Sequence, residues 1–597
     1  MSKNEPIKLR IPRQDLSEFV LFGLTADQAA NWAESLPMAN PAQVAQQLRS
    51  AMSDLNRVDM RPDIRFEILE ALRPVTHTAL STLSKFYLNQ PIVLPDEPRK
   101  AAKLAQNLFE LVTTAYTIVA IQTIQRRQEI SGANPAKLVC MALHRAITSA
   151  SMKLLVSYQL YQPVEINAWM ELHQLFLLAE RQKLSSQLVV DSIAGDGSIT
   201  DTYLRALLLG SCKPNQLRQR DLAGVFKGLR EWVEHIDLTM PDEHADGLFL
   251  VDFASDHPPI YASLYSEIPG ENCRLINTDK LVDFLQNLRI DTGEQSIVFD
   301  KDTVVSPNVL DHVITAWGVM SKRNFARAPG QEKLWISVGL SNTHFYVSGG
   351  INFESLVSSS HAHILDQEAE SSPTGDDAIK EKELWDKVFD SAGRDDSLAL
   401  EELEFHIREA GMDDNINSKE RHPVFPVRMA NVSPGGYCLE WSADIPSHIK
   451  TGDVIAVREV DNSAWSIAVI RWVSQLKDQT TLLGVELLSP RATPYGARVQ
   501  HKTGEDGDLM RALLLPEIKL VGQPNTLITP RVGFKERQKV TLIRGGTESY
   551  IQLFKKVSST AAYNQFEFRY IQQLDEVAAR DRAEVVDTSF SSIWSEI

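Results

Sequence analysis

The chain contains few cysteines: there are four in 597 residues, at positions 140, 212, 273 and 438, and no Cys-x-x-Cys pair. Cysteines this far apart form neither the framework of a small disulfide-rich domain nor the ligand set of a structural zinc site. We therefore expect no disulfide scaffold, no metal and the reducing environment of the cytosol.

The sequence also lacks an apolar leader and a long hydrophobic run. Residues 1–13 are polar with scattered charge, which predicts no signal peptide. The most apolar helical stretch, residues 111–124, is shorter than the ~20 residues that a membrane-spanning helix needs. We expect this stretch to be a buried helix of a cytoplasmic protein without a membrane span.

Positive charge is in deficit, with 61 basic against 78 acidic residues and a net charge of -17. A protein that coats DNA or RNA needs a basic surface, so this class is excluded. The acidity is local, however, because residues 364–414 hold 17 acidic and 5 basic residues, a net of -12. One acidic segment thus makes a near-neutral chain acidic.

The length predicts several domains at about 150 residues each. Residues 14–240 are typical of an all-helical bundle or solenoid, with Asn-Pro helix starts at positions 40 and 134. Residues 246–357 change to a mixed α+β pattern, in which residues 334–348 predict a β-hairpin around Ser341 and Asn342. Residues 358–418 indicate an acidic linker, with an acidic interaction arm as the alternative.

Short strands rich in Val, Ile, Trp and Tyr follow. Residues 419–500 predict an antiparallel β-barrel, and residues 508–575 predict a second β set, which is either a separate domain or an extension of that barrel. The predicted fold class is therefore multidomain α+β: an N-terminal all-α bundle or solenoid, a mixed α+β middle domain and a C-terminal β-barrel with a second β set.

One motif indicates a function: Asn431-Val-Ser433-Pro-Gly-Gly436, an N-x-S-x-x-G element at a corner between two strands. Residues i and i+2 of an extended chain project to the same side, so Asn431 and Ser433 offer an amide and a hydroxyl to one ligand. The glycines allow close backbone approach and a positive φ. Such a corner can bind the polar edges of a planar base, although it is also good turn chemistry by itself.

From this motif onward the sequence resembles the PilZ domain, a bacterial β-barrel that binds the second messenger cyclic di-GMP. The resemblance continues through residues 446–457, 465–473 and 483–487 and covers roughly residues 419–488. It implies that Asn431 and Ser433 hydrogen-bond a guanine edge or the nearby ribose and phosphate, and that Gly436 keeps the floor of the site open.

The family also places an R-x-x-x-R pair before the N-x-S-x-x-G element, where guanidinium groups contact phosphates and guanine edges. The stretch some twenty or more residues before Asn431, where the family places this pair, holds only Arg408, within acidic surroundings. We expect Arg421 to be the best phosphate contact, whereas Arg428 shares a face with Asn431 only if a β-bulge intervenes. Arginines elsewhere could also supply the contact, namely Arg491, Arg498 and Arg531. Arg471, in mid-strand, is interpreted as a salt-bridged barrel residue.

Catalytic interpretations are weaker. The tripeptide Glu70-Ala-Leu matches the name of a cyclic di-GMP phosphodiesterase family but lacks the other carboxylates of such a metal site. Asp252, Asp256 and His257 are interpreted as a turn, with a hydrolase as a remote alternative. Neither a phosphate-binding loop nor a nucleophile elbow is found. We therefore expect no enzyme, no catalytic residues and no cofactor.

The sequence thus predicts a cytoplasmic cyclic di-GMP receptor that signals through its helical region to a protein of a motility, pilus or attachment system. The alternative is a ligand-free PilZ-like scaffold that acts by protein–protein contacts.

Overall fold

The computed structural model describes residues 6–571, except for 131–132, 242–245, 301–302, 321–327, 331, 359–421, 434, 443–444, 447, 461–463, 477–479, 501–506 and 519–522. The chain forms two compact units. The first unit comprises residues 1–323, 443–449 and 473–481, and the second comprises residues 324–442, 450–472 and 482–597. The expected acidic linker falls almost entirely outside the described residues.

The first unit begins with long helices, as predicted. They are α1 (Ala26–Glu34), α2 (Pro41–Leu55), α3 (Pro62–Tyr87), α4 (Asp96–Gln125), α5 (Pro135–Gln159), α6 (Ala168–Arg181), α7 (Ile199–Ser211) and α8 (Gln219–Trp232). Both Asn-Pro starts are confirmed, since Asn40 Oδ1 accepts from the Gln43 N–H at 3.2 Å and Asn134 Oδ1 accepts from the Ala136 N–H at 2.9 Å.

Two of these helices, α4 and α5, are long and apolar enough to cross a membrane by length and composition. However, 56 % and 78 % of their most apolar windows are buried in the folded chain. Ala115, Ile118 and Val119 of α4 have no exposed surface. Residues 111–124 therefore belong to a buried helix, as expected from their length, and one or two such helices are weak evidence for a membrane span.

A buried ion network ties α3 and α5 to the loop between β1 (Leu188–Val189) and β2 (Gly197–Ser198). The Asp191 carboxylate has no exposed side-chain surface and contacts the guanidinium groups of Arg73 at 2.5 Å and Arg145 at 2.7 Å. Burial by itself raises the pKa of Asp191, but the Arg73 hydrogen bond, the Ala194 N–H and the charge of Arg145 lower it to about 2.

Glu70, the first residue of the Glu-Ala-Leu tripeptide, belongs to the same network. Its carboxylate accepts from the Tyr116 hydroxyl at 2.7 Å and from Arg145 Nε at 3.3 Å. These contacts give Glu70 a structural role and agree with the interpretation of the tripeptide as coincidence.

A small mixed region completes the first unit. Its four-stranded antiparallel sheet has the order β3-β6-β4-β5, followed by two helices and a two-stranded ribbon. The elements are β3 (Asp237–Thr239), β4 (Phe249–Asp252), β5 (Ile260–Tyr261), β6 (Cys273–Asn277), α9 (Asp279–Thr292), β7 (Ile297–Val298), β8 (Val304–Val305) and α10 (Pro307–Gly318).

The second unit contains two closed barrels. Strands of the first barrel are β10 (Lys333–Val338), β11 (Phe425–Ser433), β12 (Gly436–Trp441), β13 (Val454–Glu459), β14 (Ser466–Gln475) and β15 (Thr481–Ser489). Their order is β10-β13-β14-β15-β12-β11, and pairing of β10 with β11 closes the ring. A short strand, β9 (Ala328–Pro329), pairs with the end of β11.

The closing strand β10 precedes the acidic segment, so residues 246–357, expected as one domain, are divided between the two units. The hairpin predicted at residues 334–348 is wrong. Gly339, with φ +94°, ends β10, and the chain continues as α11 (Leu340–Val347) and α12 (Phe353–Val357). Alternation over a short apolar run does not distinguish a second strand from a helix of two turns.

The second barrel, called the C-terminal barrel below, has the strand order β16-β17-β18-β21-β20-β19. Its strands are β16 (Thr493–Val499), β17 (Met510–Leu515), β18 (Thr526–Pro530), β19 (Lys539–Arg544), β20 (Thr547–Ser559) and β21 (Tyr563–Tyr570). The second β set is thus a barrel of its own, and it begins at Thr493, ahead of the expected residue 508. The predicted fold class is confirmed.

Candidate ligand-binding site

The outer face of β11 carries the candidate ligand-binding side chains. A β-bulge between Met429 and Asn431 shifts the register of β11 against β12. Met429 and Val432 are buried in the barrel, so Arg428, Asn431 and Ser433 lie on the outer face. From the sequence, Arg428 and Asn431 were expected to share a face only if a β-bulge intervened. The structure contains this bulge.

The corner after β11 is held by its own hydrogen bonds. Ser433 Oγ donates to the Gly436 carbonyl at 3.2 Å, and the Leu487 N–H of β15 donates to the Gly435 carbonyl at 2.9 Å. Gly436 has φ +147°, and a Cβ there would lie 2.0 Å from the Val485 carbonyl oxygen. The glycine is therefore required by the close contact between β12 and β15.

Arg428 already has an anionic partner on this face. Its Nη2 lies 2.6 Å from a carboxylate oxygen of Glu440, which stands opposite it on β12. The Arg428 side chain is 60 % exposed. An exposed ion pair of this kind contributes ~1 kcal/mol or less, so an anionic ligand can compete for the guanidinium.

The remaining arginines occupy different places. Arg421 lies outside the described residues. Arg471 of β14 pairs with Glu486 of β15, which confirms its interpretation as a salt-bridged barrel residue. Arg498, on β16, contacts Glu548 at 2.9 Å. Arg491 lies just before β16 and Arg531 just after β18, so both belong to the C-terminal barrel and its margin.

Two arginines that precede strand β9 in the sequence were overlooked in the sequence analysis. Pro329 pairs with Asn431 and Ala328 pairs with Val432, so β9 lies directly beside the N-x-S element. The residues preceding β9 in the sequence are Arg323-Asn-Phe-Ala-Arg327, an R-x-x-x-R pattern. The expectation that this pair is missing covered only the stretch around Arg408, shortly before Asn431, and not the chain that precedes the acidic segment. It must be revised, because part of the barrel precedes the acidic segment.

The residues considered for catalysis have structural partners. The Asp256 carboxylate accepts from the backbone N–H groups of Asn167 at 2.6 Å and Met170 at 3.0 Å, at the start of α6. Asp252 Oδ1 accepts from the Ala254 N–H at 2.9 Å, as expected for a turn. Within the described part of the chain, no cluster of three or more His, Cys, Asp or Glu side chains could hold a metal ion.

Comparison with known proteins gives matches along most of the chain. Residues 27–243 match the N-terminal domain of the cyclic-di-GMP receptor FimW, residues 248–494 match its middle PilZ domain, and residues 495–571 match its C-terminal β-barrel domain.

Individual relatives were also found. The chain is 29 % identical over 617 residues to the cyclic-di-GMP receptor FimW of Pseudomonas aeruginosa, with 99 % of each chain covered. A solved structure titled "MrkH, A novel c-di-GMP dependence transcription regulatory factor" matches 28 % of this chain and 80 % of its own, at 12 % identity and a TM-score of 0.11.

Proposed function

The chain belongs to the family of PilZ-containing cyclic-di-GMP receptors, and on this basis we propose that it binds cyclic di-GMP on the outer face of the first barrel, at β11. The observation that carries the proposal is the pairing of β9 with β11, which sets the chain that follows Arg327 beside Asn431. The protein then acts by binding, without catalysis and with cyclic di-GMP as its ligand.

Each group has a role that suits its chemistry. The planar guanidinium groups of Arg323 and Arg327 donate paired hydrogen bonds to a phosphate or to guanine O6 and N7. Asn431 and Ser433 offer an amide and a hydroxyl from one face, for a guanine edge or the adjacent ribose and phosphate. Gly436 keeps the corner in the conformation that presents both side chains.

Two further arginines contribute charge. Arg428 exchanges its contact with Glu440 for a ligand phosphate, which an exposed ion pair permits at low cost. Arg421 remains a candidate phosphate contact on the grounds of sequence alone.

Titration calorimetry with cyclic di-GMP tests the proposal on the full chain. We expect the unaltered protein to bind the dinucleotide, and both double variants, Asn431→Ala with Ser433→Ala and Arg323→Ala with Arg327→Ala, to weaken binding at least tenfold. Charge-assisted hydrogen bonds are worth about 1.5–3 kcal/mol each, which makes this a conservative expectation. Arg220→Ala, in an exposed position on α8, is the matched control.

Lack of binding by the unaltered chain at roughly tens of micromolar ligand would overturn the proposal and favour the ligand-free scaffold. Equal losses in the Arg220→Ala control would show that the losses are not specific to the proposed site. Recovery of the intact dinucleotide after incubation with the protein supports binding without hydrolysis, and a linear product would favour the hydrolase.

The signal is proposed to reach a protein of a pilus, flagellar or attachment system in the cytoplasm through the helical first unit. In agreement with a reducing compartment, all four cysteines are free thiols. Affinity capture from bacterial extract with and without cyclic di-GMP tests this output. Recovery of the same pilus or flagellar components regardless of ligand would contradict it.

A further inference from the structure

The C-terminal barrel presents a basic surface on its last strands. Residues 531–571 contain 8 basic and 3 acidic residues, an excess of 8 − 3 = +5. Lys539 of β19 pairs with Gln552 of β20, which pairs in turn with Arg569 of β21. Directly paired residues lie on the same face of a sheet, and all three side chains are exposed. With Phe554 they form a continuous surface, named the basic row here.

An exposed aromatic ring lies within the basic row. Phe554 is 51 % exposed, and the Arg569 guanidinium carbon lies 4.4 Å from the centre of its ring. Lys555 is exposed next to it, and Val557 further along β20 is 48 % exposed. An exposed aromatic ring that contacts a cation and has charged neighbours is typical of a protein-binding surface, in which an aromatic anchor is surrounded by polar groups.

The same chain contains a segment of complementary character. Residues 364–414 carry a net charge of -12, opposite in sign to the basic row. They also hold apolar residues at helical spacing, with Trp385 and Phe389 four apart and Leu400, Leu403 and Ile407 at i, i+3 and i+7. This pattern can supply both the carboxylates and the apolar contacts that the basic row needs.

The described chain leads into this segment from the C-terminal barrel itself. The Leu356 carbonyl of α12 accepts from the Gly545 N–H, in the β19–β20 turn, at 2.8 Å. A Cβ on Gly496 of β16 would lie 2.6 Å from Val357 Cγ1, so α12 packs closely on this barrel. Covalent attachment at such a point gives an effective concentration on the order of millimolar, enough to populate a weak electrostatic contact.

We propose that residues 364–414 bind in cis to the basic row of the C-terminal barrel. Their carboxylates neutralise Lys539 and Arg569, and an apolar side chain of the segment covers Phe554. The contact is independent of the cyclic di-GMP site and holds the acidic segment on the barrel from which it departs.

Zero-length carbodiimide cross-linking of the intact chain, read by mass spectrometry, tests this contact because the reagent joins lysine amines only to adjacent carboxylates. At about 50 mM salt, we expect residues 364–414 to link mainly to Lys539 and Lys555. Raising the salt to about 0.5 M, where the Debye length falls to about 4 Å, should reduce these links at least fivefold. Lys137, exposed on α5, gives the background yield.

Two variants keep both reacting partners in place. Arg569→Glu and Phe554→Ser should each lower the yield of links from Lys539 and Lys555 at least fivefold, and Arg220→Glu, in an exposed position of the first unit, should leave it unchanged. Thermal unfolding verifies that each variant is folded. Links to Lys137 as frequent as those to Lys539, or an unchanged yield in Arg569→Glu, would overturn the proposal.

A mixture of isotopically light and heavy protein identifies the occupant. In an equal mixture, links within one chain give no mixed light–heavy products, so their absence supports binding in cis. Links between copies give mixed products about half of the time, so a mixed fraction near one half would show that the segment binds a second copy and would overturn the proposal as stated.

Discussion

Replacement of Gly436 by alanine is the most direct test of how the candidate site is built. The residue has φ +147°, and the added Cβ would lie 2.0 Å from the Val485 carbonyl oxygen and 3.0 Å from the Glu486 Cα. Both obstacles are backbone atoms of β15, which cannot rotate away as a side chain can. Strands β12 and β15 must therefore separate locally, and the corner that holds Ser433 moves with them.

The magnitude follows from two contributions. Left-handed backbone strain costs a non-glycine residue ~1–2 kcal/mol, and overpacking costs ~1–3 kcal/mol. We expect Gly436→Ala to destabilise the second unit by about 3 kcal/mol. For a domain of this size, that lowers the melting temperature by about 6–12 °C in differential scanning calorimetry. Under the proposed function, the affinity for cyclic di-GMP falls as well.

The matched control is Gly270→Ala, because Gly270 is exposed and a Cβ there has no neighbour within 4 Å. This substitution should change stability by about 0.5 kcal/mol or less. A melting temperature of Gly436→Ala within about 1 °C of the unaltered chain would refute the reasoning, since it would mean that β12 and β15 are not in the close contact described.

Three further predictions concern buried charge, pH and the candidate site. Asp191→Asn removes the anionic partner of two arginines and should lower the free energy of unfolding by roughly 3 kcal/mol in urea titration at pH 7. Because the pKa of Asp191 is depressed in the folded protein, its contribution to the free energy of unfolding is fully present above about pH 3.8 and is lost towards pH 2. A difference in stability between Asp191→Asn and the unaltered chain that is as large at pH 2 as at pH 7 would contradict this prediction. Burial lowers the pKa of His144 and His173 from 6.5 to about 4, so the unfolded chain binds more protons below pH 6.5 and stability should fall by roughly 2 kcal/mol per histidine at pH 5. A flat urea-titration profile between pH 7.5 and 5 would argue against this. Glu440→Gln removes the anionic partner of Arg428 and should tighten cyclic di-GMP binding by roughly two- to fivefold in calorimetry, whereas Arg428→Ala should weaken binding. Weaker binding in Glu440→Gln would exclude the proposal that Arg428 exchanges Glu440 for a ligand phosphate.

Local chemistry made much of the fold predictable. Asn-Pro helix starts and turn residues between short β-branched runs act through neighbouring residues, so they can be recognised without knowledge of the rest of the chain. The same holds for the N-x-S-x-x-G corner, whose two polar side chains share a face, as expected. The interpretation of Arg471 as a salt-bridged strand residue was correct for a similar reason, because its partner lies on the adjacent strand.

Pairing between distant parts of the chain could not be predicted in this way. Residues 334–348 alternate like a hairpin, yet β10 pairs with β11 and β13 on the far side of the acidic segment. Strand β9 is only two residues long and has no recognisable pattern of its own, although it lies beside Asn431. The four-residue spacing of Arg323 and Arg327 was visible in the sequence, but its place next to the N-x-S element was not.

The sequence by itself determined the helical first part, the strand-rich second part and the polar corner at Asn431, because these depend on spacing and composition over a few residues. Tertiary structure alone decided which strand closes the first barrel, where the β-bulge turns Arg428 onto the face of Asn431, and which arginines precede the strand beside it. The closing strand and strand β9 are positioned by hydrogen bonds across the whole acidic segment, whereas the bulge is set by the register of β11 against its neighbour β12. Neither kind of pairing leaves a periodic trace in the sequence.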